Sequence, residues 1–231
     1  MILTGLAVGA ALGIVMQRGR FCVTGMLRDI FLLHSWRTFV GLLIVIAVHA
    51  VGLAALTSLG VIAPEYSTFA PIAVVLGGLI FGLGIVLAGG CASGTWYRSG
   101  EGLVGSWFAL GTYALSAAMM KSGVLAPLND TLKVWNTGLT TLPELFGVSA
   151  WPFAIAFALL TIAATAYFVR REAAAPKPSH LGNTPAWKRP LHVYTAGAII
   201  GLLGVIAWPL SAATGRNNGL GITTPSGNIA S

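Results

Sequence analysis

The stretch Gly82-Leu83-Gly84-Ile85-Val86-Leu87-Ala88-Gly89-Gly90-Cys91-Ala92-Ser93-Gly94 begins as an apolar run and ends in two glycines, a cysteine, a hydroxyl residue and a further glycine. A related succession stands near the N-terminus, where Gly9-Ala10-Ala11-Leu12-Gly13-Ile14-Val15 leads into Gly19-Arg20-Phe21-Cys22-Val23-Thr24-Gly25. In both, a glycine-rich apolar helix runs into Gly, then Cys, then a hydroxyl residue, with Gly three positions after Cys. Arg28 follows the first copy and Arg98 the second. Glycine at this density works against helix regularity, and a broken helix inside a membrane is tolerated only where protein or a cavity surrounds the break. The motif therefore predicts repeated, Cys-containing broken or re-entrant helices.

The rest of the chain fits that setting. Of 231 residues, 56% are hydrophobic, 8% are charged and 30 are glycine, and the mean hydropathy is +0.84. A soluble domain carries about 25% charged residues and about 7% glycine, so an ordinary soluble fold is excluded. Apolar stretches at 1–16, 38–60, 70–88, 102–120, 151–169 and 193–210 approach the roughly 20 residues that a membrane helix needs. The first is the shortest, and it lacks the basic start of a cleaved signal peptide. Lipid offers no water to backbone amides, so these segments are helices, and their Gly, Ala and Ser residues let neighbours approach closely. The expectation is an all-α, polytopic membrane helix bundle, a single transmembrane domain over 1–231 with about six spans.

The net charge of +7 gathers from Arg18 to Arg37 and from Arg170 to Arg189. Two separate clusters are not the continuous basic face that nucleic acid requires, so no nucleic-acid partner is expected. Under the positive-inside rule these loops and the one holding Arg98 face the cytoplasm, which puts the N-terminus outside. Trp36, Trp151 and Trp208 lie at segment ends, where an indole can meet both headgroups and hydrocarbon. Residues 172–190, with Pro176, Pro178, Pro185 and Pro190, read as a cytoplasmic linker. Residues 122–150 are too polar for a span, and Trp135, Leu142 and Leu145 suit a surface-lying helix at the outer interface.

A glycine-framed break brings backbone N–H groups and a small polar side chain to one point, as transporters do when they aim half-helices at an anion. The candidate substrate-binding residues are accordingly Cys22, Thr24, Cys91, Ser93, Gly90 and Gly94. Arg20, Arg28 and Arg98 are mouth or topology residues that raise the local anion concentration. A thiol is a weak donor with a polarizable sulfur, which suits a soft anion that must leave as readily as it enters. Plainer readings exist for each residue. A single cysteine is often a small buried hydrophobe; the recurrence of the framed motif argues otherwise. Hydroxyls such as those of Thr24 and Ser93 commonly bond helix carbonyls. His49, in mid-span, is read either as a pore residue or as a packing hydrogen bond. Cys22 and Cys91 read as thiols rather than a disulfide. Their spacing lacks metal-ligand character, and no His-Glu-x-x-His, Walker or dinucleotide fingerprint is present, so neither a metal, a cofactor nor an enzymatic activity is expected.

At Gly19-Arg20-Phe21-Cys22 with Arg28-Asp29, and at Ala88-Gly89-Gly90-Cys91-Ala92-Ser93-Gly94-Thr95 with Tyr97-Arg98 and Gly100-Glu101-Gly102, the chain resembles the YeeE/YedE sulfur-transport family of bacteria. The characterised branch of that family takes up thiosulfate. Gly219-Leu220-Gly221-Ile222-Thr223-Thr224-Pro225-Ser226-Gly227 is similar to the segment that precedes the family's second half. The resemblance implies an hourglass-like inner-membrane transporter built from inverted repeats, whose cysteines line a narrow route and relay thiosulfate by S–H hydrogen bonds. Cys22 and Cys91 match two of those cysteines. It also implies a small cytoplasmic sulfurtransferase-like partner and, for some relatives, selenium compounds as substrate.

Full-length relatives continue through further spans and another cysteine. The chain is therefore expected to be the first part of such a transporter: a truncated piece of a longer chain, or a half completed by a second-half polypeptide or by a homodimer. Two rival readings are a membrane thiol-redox or sulfur-transfer enzyme, whose cysteines react covalently, and a non-catalytic membrane subunit.

Overall fold

The computed structural model describes residues 2–64, 68–138, 140–174, 189–213, 219 and 221–223. Ten helices follow one another among the described residues: α1 (Ile2–Gly19), α2 (Val23–Leu33), α3 (Arg37–Ser58), α4 (Pro71–Leu87), α5 (Ala92–Gly100), α6 (Val104–Ser122), α7 (Ala126–Val134), α8 (Leu142–Phe146), α9 (Ala150–Ala174) and α10 (Val193–Ala212). Five stretches among them are long and apolar enough to cross a membrane: Leu3–Leu33, Arg37–Ser58, Pro71–Gly100, Ala150–Ala173 and Val193–Ala212. The chain is an all-α, multi-spanning helix bundle. The first stretch joins α1 to α2 and the third joins α4 to α5, so in each a long apolar helix continues into a short one across a break.

The expected span at 102–120 coincides with α6, a helix of 19 residues. Ser106, Thr112, Tyr113, Ser116 and Lys121 make it more polar than the five. The polar stretch after it folds into α7 and α8. Helix α9 continues to Ala174, into the start of the expected linker. Glu172 has helical partners there, and Pro176 is the first residue to oppose a helix at its own position and the one before. The bulk of the linker, residues 175–188, lies outside the described residues, as do Thr224–Gly227.

The chain divides into two compact units, Met1–Ala63 with Ala150–Arg216, and Pro64–Ser149 with Asn217–Ser231. In the first, α3 packs on α9 and α10, and α1 on α10. Glycine makes this possible. A Cβ on Gly197 would lie 2.5 Å from the carbonyl oxygen of Gly41, and one on Gly201 would lie 2.8 Å from the Cβ of Val48, the close backbone approach that small residues permit in membranes. His49 belongs to this interface. Trp208 Nε1 donates to His49 Nε2 at 3.2 Å, and Gly204 leaves room for the ring, since a Cβ there would stand 2.7 Å from Nδ1. At one end of these helices Arg37 Nε lies 2.7 Å from Glu172 Oε1. The Tyr194 hydroxyl donates to the same oxygen at 2.9 Å, tying α3, α9 and α10 together.

In the second unit α5 packs on α6, α6 on α7 and α4 on α7. Here glycine is used differently. No residue of α4 is buried, and a Cβ on Gly77, Gly78, Gly82 or Gly84 would meet nothing within 4 Å. Leu79, Ile80, Leu83 and Leu87 on the same helix are exposed.

Candidate functional site at the two broken helices

Helix α1 ends in a Schellman motif. Arg20 takes the left-handed conformation, with φ 47°; its N–H donates to the Gln17 carbonyl at 3.2 Å, and the N–H of Phe21 reaches back to Met16 at 2.9 Å. These two bonds satisfy carbonyls that the end of a helix would otherwise leave open. Cys22 follows in extended conformation, φ −139° and ψ 117°, as the residue that precedes α2. The break is sunk into the first unit. Phe21, 3% exposed, joins Met26 and Ala196 in a core to which Val15, Met16 and Ile200 contribute. Gly19 lets α10 approach, since a Cβ there would come within 2.7 Å of the Ala196 side chain. Cys22 is buried at 5% exposure.

Thr24, in the first turn of α2, has its Oγ1 shut off from solvent and makes no hydrogen bond among the described residues. A buried hydroxyl without a partner forfeits about 1–3 kcal/mol. Gly25 lies against Cys22, with a Cβ placed there 3.8 Å from that of the cysteine.

Helix α4 ends in the same way. Gly89 has φ 66°, its N–H donates to Val86 at 3.1 Å, and the N–H of Gly90 donates to Ile85 at 3.1 Å. Cys91 is again extended, φ −71° and ψ 168°, and precedes α5. Its sulfur accepts from the N–H of Gly94 at 3.4 Å, so the thiol caps the short helix. Its carbonyl accepts from the Thr95 hydroxyl at 2.9 Å. Cys91 and Thr95 are buried; Ser93 is half-buried in the first turn. Arg98 turns back along α5, and its Nη1 donates to the Gly89 carbonyl at 2.6 Å. Ser99 bonds the Thr95 carbonyl at 2.7 Å, and Trp107 of α6 donates to the Ser99 carbonyl at 2.7 Å.

The candidate residues therefore gather at two places. Cys22 and Thr24 share the first break in one unit; Gly90, Cys91, Ser93, Gly94 and Arg98 share the second break in the other. Neither cysteine is in a disulfide. Arg20 forms the left-handed turn itself, while Arg28 is exposed and pairs with Asp29 at 3.4 Å. Thr95 was not singled out by sequence reading, although a hydroxyl four residues after Cys91 is placed to bond its carbonyl. No group of three or more His, Cys, Asp or Glu able to hold a metal occurs among the described residues.

Comparison with known proteins places the chain in a family. The family described as Sulphur transport matches residues 18–231. The thiosulfate transporter TsuA of Escherichia coli is 46% identical over 237 residues, which cover 99% of this chain and 66% of that protein. TsuA of Spirochaeta thermophila is 31% identical over 236 residues, covering 96% and 67%. The probable transporter YedE of Escherichia coli is 40% identical over 100 residues, or 43% of this chain. The chain belongs to the sulfur-transport family and spans about two thirds of the length of the TsuA relatives.

Proposed function

We propose that this chain carries thiosulfate, or a closely related small sulfur anion, across the bacterial inner membrane by transient hydrogen bonding to Cys22 and Cys91. One observation carries the reading: both cysteines stand at the same point of the same backbone break, immediately before the first residue of a short helix. Amide N–H groups at such helix starts favour negative charge. The unsatisfied hydroxyl of Thr24 supplies a further donor beside the first thiol, and Ser93 occupies the corresponding position after the second. Two relatives that are thiosulfate transporters, TsuA of Escherichia coli and of Spirochaeta thermophila, support thiosulfate as the cargo.

In this reading the two broken helices are the paired elements of an inverted repeat, the N-terminus lies outside, and the basic loops face the cytoplasm. The anion meets several weak donors in succession and no deep trap, as conduction requires. Further helices, like those of the family's second half, complete the route. The bare glycines of α4 support that completion, because a small-residue face is an invitation to helix packing in lipid. A small cytoplasmic sulfurtransferase-like protein receives the cargo.

The test is uptake in the completed assembly. Cys91→Ala removes growth on thiosulfate as sole sulfur source while protein abundance in the membrane stays near normal. Undiminished uptake refutes the relay. Mass spectrometry after exposure to substrate separates transport from sulfur transfer: a relay leaves both thiols unmodified, whereas a persulfide or mixed disulfide on either cysteine establishes the enzyme.

A further inference from the structure

An arginine rests on the second break. Helical Cβ atoms tilt toward the N-terminus, so Arg98, two turns after Cys91, reaches back along α5 to the break. Its Nη1 bonds the Gly89 carbonyl at 2.6 Å. A Cβ on Gly90 would lie 3.2 Å from that same nitrogen. The two glycines before Cys91 therefore have separate roles: Gly89 takes the positive φ, and Gly90 makes room for the guanidinium.

Among the described residues Arg98 enters none of the ion pairs. A guanidinium carries five N–H donors in a rigid fork, and the Gly89 carbonyl occupies one nitrogen. What is left is a partly buried positive charge with open donors, lying on the backbone beside Cys91, in a stretch apolar enough to cross a membrane. An arginine that served only topology would extend its head to the interface. Arg98 instead folds back along α5 onto the break, and ionisable groups within membrane-spanning segments commonly mark ion pathways.

We infer that Arg98 is a specificity-determining residue of the Cys91 break: its charge, resting on the Gly89 carbonyl, draws a small oxyanion to the thiol and turns away cations. This rests on the reading of Cys91 as part of an anion route. It departs from a role at the cytoplasmic mouth, because the guanidinium is held at the break, on the carbonyl two residues before the thiol.

The experiment uses the purified full chain in detergent and two thiol-specific methanethiosulfonate reagents, one bearing a sulfonate and one a quaternary ammonium. Rates at Cys91 are read by peptide mass spectrometry. The sulfonate reacts faster in the wild-type chain. Arg98→Gln keeps an amide able to donate to the Gly89 carbonyl and removes the charge; it lowers the sulfonate-to-ammonium rate ratio by about tenfold or more, as loss of a charged donor implies. Arg98→Lys retains most of the ratio. Gly90→Ala displaces the guanidinium without changing the charge and gives an intermediate fall.

An unchanged ratio in Arg98→Gln overturns the inference, as does an equal loss in the Gln and Lys variants, which would mark a purely structural clamp. Failure of Cys91 in the folded chain to react with either reagent overturns it too. Uptake that survives Cys91→Ala refutes the thiol relay, while the Arg98 assignment still stands or falls by the rate ratio.

Discussion

At Arg20-Phe21-Cys22 the broken helix is gripped by apolar side chains of α10, whereas at Gly89-Gly90-Cys91 it is held by hydrogen bonds from its own short helix. The backbone is the same at both; the means of holding it are not. The packing around Phe21 is shared with Met26 and Ala196, and in lipid such a core is held by van der Waals contact rather than by release of water. The neutral bonds at the second break contribute about 0.5–1.5 kcal/mol net each, and the bond from the Arg98 guanidinium falls in the higher range of charged donors. The first break is set into the core of its unit; the second is held by polar groups of the short helix that follows it.

Substitutions can break or sharpen this contrast. The largest effect is expected at the first unit's helix interface: Gly197→Ala drives a methyl toward the Gly41 carbonyl and costs about 1–3 kcal/mol, measured by denaturant titration of the chain in micelles. Gly89→Ala forces a side chain into φ 66° and costs about 1–2 kcal/mol, while Arg20→Gly at the corresponding position moves stability the other way. Equal signs at the two positions would show that the breaks are not equivalent. Thr24→Val removes the buried unsatisfied hydroxyl; the folded chain gains up to about 1 kcal/mol while thiosulfate uptake by the assembly falls. A variant that loses stability would place a hidden partner at Thr24.

The smallest effect belongs to α4. Gly82→Ala meets no neighbour and stabilises the isolated chain by about 0.5–1 kcal/mol through helix propensity. In the completed transporter the same change is destabilising, because the face is then covered. A gain in both settings would leave α4 facing lipid.

The apolar runs were legible as helices because hydrocarbon leaves the backbone no alternative. The finer geometry was not legible. The glycine nearest the first break, Gly19, is taken up by the approach of Ala196, so the left-handed turn falls on Arg20, a residue with no local signal for it. The partner of His49 is Trp208, 159 residues away, a distance across which no periodicity reaches. Arg98 read as a loop cation because its Cα lies near a polar turn; only the direction of its side chain brings the charge to the Gly89 carbonyl at the break. Charge counting also set Arg28 and Arg98 side by side as mouth residues, yet Arg28 has Asp29 as its partner and Arg98 has a carbonyl.

The central claim, that one anion is handed between two thiols, is tested most directly by protection. In the assembled transporter, N-ethylmaleimide modification of Cys22 and Cys91 is followed peptide by peptide with thiosulfate and with sodium chloride at equal ionic strength. The account predicts that thiosulfate slows modification at both cysteines and that chloride slows neither. Protection at one cysteine alone, or at neither, contradicts it.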